Sequence, residues 1–294
     1  MKQLISILLV QFICVISFAQ ETKHVVVLGF DGMSAAGVRN SETPIFNELM
    51  KNGAWTLHAH AVMPTSSSPN WASMIMGAPP RCHSIHSNRW EVNKIKNRSF
   101  CGCEKGKLFP TIFGVMRNQK ANANITCYHD WDGFARLTET NAFTVLQDTK
   151  DENETADKAI ECIKNKQPDF LFLHFDHVDH AGHAIGHFTP EYYKSIAKAD
   201  SITGAIIKAL KEAGMFENTV ILITADHGGI RKGHGGSSIA EKEIPWIISG
   251  SGIKKGFEIT EKVKTYFTAP TLAKILNITT PDCWRGKPVL SAFE

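Results

Sequence analysis

Along most of the chain, short apolar runs rich in β-branched and aromatic residues alternate with segments of helical period. HVVVLGF at 24–30 predicts a buried strand, followed by a helix around 43–52. ANITCYH at 123–129 predicts another strand, then a helix near 153–166 with Ala156, Ala159, Ile160 and Ile163 on one face. DFLFLHF at 169–175 leads into a long helix at 190–213 that Gly214 ends. TVILITA at 219–225 and IPWIIS at 244–249 follow as strands, and a last helix is expected near 269–276. Continuous apolar strands separated by helices imply an α/β fold, a mostly parallel central sheet with helices on both faces. Residues 82–107 have few apolar positions and read as a small irregular insertion or lid.

Composition narrows this picture in three places. The first nineteen residues, MKQLISILLVQFICVISFA, carry Lys2, an apolar core and Ser17-Phe18-Ala19 as a small-x-small cleavage site. They are expected to be a signal peptide, leaving 20–294 as one catalytic domain exported to the periplasm or secreted, with no membrane anchor. A formal net charge of +3 gives no electrostatic case for a nucleic-acid polymer or a membrane surface. Cys82, Cys101, Cys103, Cys127, Cys162 and Cys283 remain after cleavage, an even number that permits disulfides, and their pairing stays open. The six tryptophans read as packing residues, with Trp90 and Trp131 the exceptions that lie in poorly patterned segments.

The chemistry gathers where strands end, which is where open α/β sheets bind ligands. The first strand runs into Gly29-Phe30-Asp31-Gly32. The strand at 169–175 runs into FDHVDHAGHAIGH (175–187), with four histidines and two aspartates in thirteen residues. TVILITA runs into Asp226-His227-Gly228-Gly229, then Gly233-His234-Gly235-Gly236. A lone aspartate after a strand is ordinarily a turn or cap residue. Three acid-bearing ends, two of them with nearby imidazoles, point instead to metal, zinc first with manganese or iron as alternatives. Six or more donors exceed one tetrahedral ion, so two ions are expected, the arrangement that clamps a phosphoryl group in in-line displacement. MPTSSSPNWASMIMG (63–77) supplies hydroxyls at a helix start, where free N–H groups favour phosphate; a serine N-cap before a proline is the plainer reading of the same letters.

Taken together and in order, GFDG (29–32), PTSSSPN (64–70), HSIHSNR (83–89), DHAGH (179–183), ADHGG (225–229) and GHGG (233–236) resemble the alkaline phosphatase superfamily, and within it the nucleotide pyrophosphatase/phosphodiesterase branch. That resemblance implies an alkaline phosphatase-like fold and two metal ions. Asp31, Asp226 and His227 would hold one, and Asp179, His183 and His234 the other. It implies Ser67 as the nucleophile, forming a phosphoseryl intermediate, and Asn70 as donor to a phosphate oxygen. Asp176, His177, His180 and His187 are expected outside the direct ligand set, with Asp176 or His180 able to orient a ligand.

Two departures bear on substrate. Serine stands where threonine is common, and His174 stands where nucleotide-cleaving relatives often carry a base-stacking tyrosine, which weakens the case for nucleotides. The expected function is therefore hydrolysis of a small phosphate ester, a phosphodiester or nucleotide pyrophosphate first. A phosphomonoesterase is the alternative, disfavoured because the sequence identifies no third positive centre for the extra charge. A sulfatase needs an arginine where Trp71 stands, and a non-enzymatic metal-binding protein would not need Ser67 or Asn70.

Overall fold

The computed structural model describes residues 23–95 and 101–294, so the segment 1–19 expected to be a signal peptide lies outside the described residues. Eight strands form one sheet: β1 His24–Phe30, β2 Gly53–His60, β3 Ile125–His129, β4 Val145–Asp148, β5 Phe170–Phe175, β6 Thr219–Thr224, β7 Glu243–Gly250 and β8 Phe257–Glu258. Their order is β4-β3-β5-β1-β6-β7-β2-β8. β1 lies at the centre, parallel to β5 (Val25 opposite Phe170) and to β6 (Val25 opposite Val220). β3, β5 and β6 are buried along their whole length, as strands covered on both faces must be.

The expected mostly parallel sheet is present, with one reversal: β7 runs antiparallel to both β6 and β2. A continuous apolar run such as Ile244–Ser249 is buried whichever way it points, so its pattern carries no direction. β2 (GAWTLHAH) and the short β4 and β8 were not expected, because their polar and small residues give no strong strand period.

Helices Pro44–Lys51, Glu152–Lys166 and Pro190–Glu212 pack among themselves, as do Ser67–Met76, Ile112–Gln119 and Thr268–Ile275. Asp151 caps Glu152–Lys166 by accepting from the amides of Asn153 and Glu154. Thr189 caps the 23-residue helix Pro190–Glu212, which has proline in its first turn and is followed by Gly214 at φ +68°. This long helix also reaches the centre of the molecule. The Tyr192 hydroxyl donates to the Gly32 carbonyl (2.8 Å) and accepts from the Ser34 amide (2.9 Å), gripping the turn just after Asp31.

The segment expected as an irregular insertion contains a short helix, Pro80–His83, and a 3-10 turn, Val92–Lys94; residues 96–100 lie outside the described residues. Disulfides Cys82–Cys101 and Cys103–Cys283 tie it to itself and to the C-terminal region, while Cys127 and Cys162 are buried thiols. Among the described residues, no helix is long and apolar enough to cross a membrane.

Candidate metal and phosphate site

Because β5, β1 and β6 are parallel neighbours, Asp31, the Asp176–His187 stretch and Asp226-His227 leave the sheet side by side. Two glycines of GFDG make this approach possible. A Cβ on Gly29 would lie 2.5 Å from the Trp71 ring, and one on Gly32, which has φ +69°, would lie 2.5 Å from Asp179 Oδ1.

Asp31, Asp226 and His227 bring one donor atom each within 4.8 Å of one another, and so do Asp179, His183 and His234. Both triads expected from the resemblance therefore form. The histidine-rich stretch is a helix, His177–Ala184, which explains the spacing of its two members: Asp179 and His183 are one turn apart, with His183 Nε2 3.1 Å from Asp179 Oδ2.

The imidazoles are oriented alike. Nδ1 of His227 faces the Gly228 carbonyl (2.8 Å), that of His183 the Lys232 carbonyl (3.0 Å) and that of His234 the Thr65 carbonyl (2.9 Å). A carbonyl only accepts, so Nδ1 carries the proton and Nε2 points inward in each case. His227 Nε2 then faces Asp226 Oδ2 (3.2 Å), Asp31 Oδ1 (3.4 Å) and Ser67 Oγ (3.3 Å) at once. His183 and His234 place their Nε2 atoms 3.1 Å apart. One proton on His227 could serve only one of its three neighbours, and Asp31 Oδ1, Asp226 Oδ2 and Asp179 Oδ1 are buried without hydrogen-bond partners. Burying unpaired carboxylates costs several kcal/mol each, on the order of the most damaging single mutations. A cation in each triad meets all of these atoms together, so the donor set fits two divalent metals.

The carboxylates respond to this crowding in opposite ways. Burial, then the charges of Asp31 and Asp179, push Asp226 well above the ordinary range. Burial also acts upward on Asp31, but the hydrogen bond from His174, the charges of His227 and His174 and the Trp71 indole outweigh it and hold Asp31 low. Asp176 is pushed up to about 7 by burial and by Asp31. It also comes closer than expected, grouping with Asp31 and Asp179 within the same 4.8 Å.

His174 has a different place from the one its sequence position implied. It is fully buried between Asp31 Oδ2 and Asp130 Oδ1, 3.4 Å from each, and cannot stack on a substrate base. Burial lowers its pKa, but the two carboxylates overcome that and raise it to about 10, so it stands as a buried cation. Trp71 Nε1 donates to the same Asp31 oxygen at 2.9 Å, leaving Oδ1 turned toward His227. Trp71, Asp130 and His174 were not anticipated as supports of Asp31, since an aromatic in a helix and an acid in a loop look like packing and surface. His177 bonds the Ser195 carbonyl, His180 is exposed, and His187 is buried 4.0 Å from Asp179 Oδ1.

Ser67 opens helix Ser67–Met76, with Ser66 as its N-cap. Asn70 requires a correction. It is buried in the preceding loop, its Nδ2 facing the carbonyls of Val62 (3.3 Å), Pro64 (3.0 Å) and Ser66 (3.0 Å), while its Oδ1 accepts from the Val62 amide (2.6 Å). With both amide hydrogens engaged by those carbonyls, Asn70 shapes the loop and does not point at phosphate. The asparagine facing Ser67 is Asn88, whose Nδ2 is 3.5 Å from Ser67 Oγ and whose Oδ1 accepts from the Ser68 amide (2.8 Å). It lies in HSIHSNR, a motif the sequence displayed without indicating which member faced the site. Arg136 supports it, donating Nη2 to the Asn88 carbonyl (2.6 Å), 3.5 Å from Ser68 Oγ and with its guanidinium 5.4 Å from the Trp131 ring centre. The sequence identified no positive centre here; the structure places Arg136, itself 3.6 Å from Glu91 Oε1, beside the helix that Ser67 opens.

A parallel-stranded sheet with two Asp/His triads at its strand ends and a serine between helix dipole and imidazole defines a member of the alkaline phosphatase superfamily. Residues 25–232 match the family of type I phosphodiesterases and nucleotide pyrophosphatases, and the chain belongs to that family. Human ectonucleotide pyrophosphatase/phosphodiesterase family member 1 is 23% identical over 219 residues, 71% of this chain and 24% of the human protein. The chain thus spans about a quarter of that relative. Murine ectonucleotide pyrophosphatase/phosphodiesterase 5, solved as an inactive T72A variant in complex with AMP, superposes with a TM-score of 0.70 at 19% identity, covering 88% of this chain and 96% of its own. A 2-O GAG sulfatase has the same fold with a TM-score of 0.70 at 16% identity, covering 92% of this chain and 74% of its own.

Proposed function

We propose that the protein hydrolyses small phosphate esters, phosphodiesters or nucleotide pyrophosphates first, in two displacements through a phosphorylated Ser67. The observation that carries this is Ser67 Oγ at a helix N-terminus, 3.3 Å from the inward Nε2 of His227. Divalent ions held by Asp31/Asp226/His227 and by Asp179/His183/His234, zinc by donor type, would supply positive charge to phosphate oxygens and lower the pKa of hydroxyl and water. Ser67 attacks phosphorus; its Oγ–P bond forms as the ester P–O bond breaks, the leaving oxygen departs with the bonding pair and takes a proton from water, and the serine proton passes to solvent. Water then cleaves the Oγ–P bond and restores the hydroxyl. Asn88 Nδ2 donates to a non-bridging oxygen, and the positive end of the helix dipole at Ser67 favours the charge that shifts onto the phosphate.

With His174 buried, its identity says nothing against a nucleotide, and the AMP bound to the murine phosphodiesterase supports keeping nucleotides in the substrate class. Arg136 supports a second reading, phosphomonoester hydrolysis, because it supplies a cation beside Ser68 and Asn88. A sulfatase reading gains nothing beyond the shared fold, since Trp71 is buried on Asp31 where that chemistry would need an arginine. We place the mature protein in the periplasm or outside the cell, on the expected signal segment 1–19 and the two disulfides.

The test compares p-nitrophenyl phosphate with bis(p-nitrophenyl) phosphate on zinc-loaded wild type and Ser67→Ala. The diester is expected to turn over faster, and Ser67→Ala to lose at least ~10^3-fold in kcat while keeping two metals per chain. Near-normal turnover in Ser67→Ala would remove the covalent step. A ratio strongly favouring the monoester would establish the second reading.

A further inference from the structure

β7 is antiparallel to β6 and β2 is antiparallel to β7, so β2 ends on the same edge of the sheet as the metal triads. At that end a cavity of about 400 Å³ opens beside the loop that leads to Ser67. His60, Arg81, His86, Lys262, Lys264 and Tyr266 line it, together with Val62 and Met63 of the loop. No carboxylate does. Among the described residues, Arg81, His86, Lys262 and Lys264 have no acidic partner; the nearby Glu243 is taken by His58 (3.0 Å) and Arg39 (3.4 Å). Lys264 instead donates to the Tyr266 hydroxyl at 3.0 Å, and His60 is held below its ordinary value by burial first and then by Lys262.

Like charges gathered around a concave wall repel one another, and an anion relieves that repulsion. The cavity is also joined to the reaction centre on two sides. His86 is two residues from Asn88, at most about 7 Å of chain, and Met63 is four from Ser67, at most about 14 Å. An anion in the cavity would therefore sit on the order of 10 Å from a phosphorus at Ser67.

We propose that this cavity is a subsite for a second anionic group, phosphate or carboxylate, carried by the substrate on the side away from the scissile bond. The proposal rests on the phosphoesterase reading and narrows it to substrates with two separated anionic centres.

The test uses p-nitrophenyl hexyl phosphate and two counterparts whose hexyl arm ends in phosphate or in carboxylate. In wild type, kcat/KM is expected to be at least tenfold higher for an anion-tipped arm, with the advantage falling as salt rises. Arg81→Glu/Lys262→Glu, at two exposed positions, should erase that advantage and leave the plain hexyl ester unchanged, which also reports correct folding. The better of the two tips identifies the anion. Equal rates for all three esters in wild type, or an advantage that survives the charge reversal, would overturn the subsite. Should wild type hydrolyse none of them, the phosphoesterase reading fails by itself. Hexane-1,6-diyl bisphosphate against hexyl phosphate in a binding titration then decides the subsite, with loss of the bisphosphate's tighter binding in the double variant expected and no difference overturning it.

Discussion

The two triads differ in how they are built. Asp31, Asp226 and His227 are wholly buried, leave the ends of two adjacent central strands, and rest on Trp71 and on the His174–Asp130 pair. Asp179, His183 and His234 stand on a short helix and a glycine-rich loop, with the His183 side chain 48% exposed and that of His234 10%. The inner triad is therefore held in place before any ion arrives, and its unpaired oxygens are a standing penalty without one. The outer triad shares that penalty at Asp179 Oδ1, which is also buried without a partner, but opens to water at His183. One site is buried throughout, the other is open to solvent at one of its three side chains, and Ser67 lies against the first.

The largest expected contrast comes from removing one ligand from each. His227→Ala should abolish turnover, empty the inner triad and destabilise the metal-loaded fold by about 3 kcal/mol, because it leaves two buried carboxylates facing a cavity. His183→Ala should also suppress turnover by ~10^2-fold or more, yet shift the unfolding midpoint little, within about 0.5 kcal/mol. Denaturant melts with metal counting on both variants check this, and equal losses of stability would erase the distinction drawn here. A smaller effect should appear on dialysis against chelator. The outer ion is expected to leave first, giving a one-metal species whose stability is close to that of the loaded protein. Simultaneous loss of both ions would contradict separate half-sites.

The smallest effect concerns the buried wall beneath Ser67's helix. His83 accepts from the Ile85 amide at Nδ1 and meets Ser73 Oγ at Nε2, and burial lowers its pKa to about 3. The unfolded chain takes up this proton near 6.5 and the folded one does not, so its contribution is intact above about pH 6.5 and is lost progressively toward 3, on the order of a few kcal/mol in full. His83→Gln should flatten the acid limb of stability in chelated protein. An unchanged slope would mean that His83 titrates normally.

Much of the site could be read from the letters because strand ends are local events. An apolar β-rich run that stops at Asp-Gly or Asp-His-Gly-Gly announces both the strand and the residue at its edge, and the acids and imidazoles of both triads were found that way or through the motifs around them. Ser67 and Asn70 show where this reading stops. Both lie in one motif with polar side chains at a helix start, yet the fold turns the first toward His227 and closes the second onto three loop carbonyls.

The sequence by itself determined the alternation of strands and helices, the central parallel arrangement and the acids and imidazoles that gather at the strand ends, since each depends on short-range periodicity or on donor chemistry. Tertiary structure alone decided the direction of β7, the pairing of Cys103 with Cys283, the placing of Asn88 rather than Asn70 against Ser67, and the burial of His174 against Asp31. Those outcomes depend on which distant segments meet, and hydrogen-bond partners at long range leave no period in the chain that provides them.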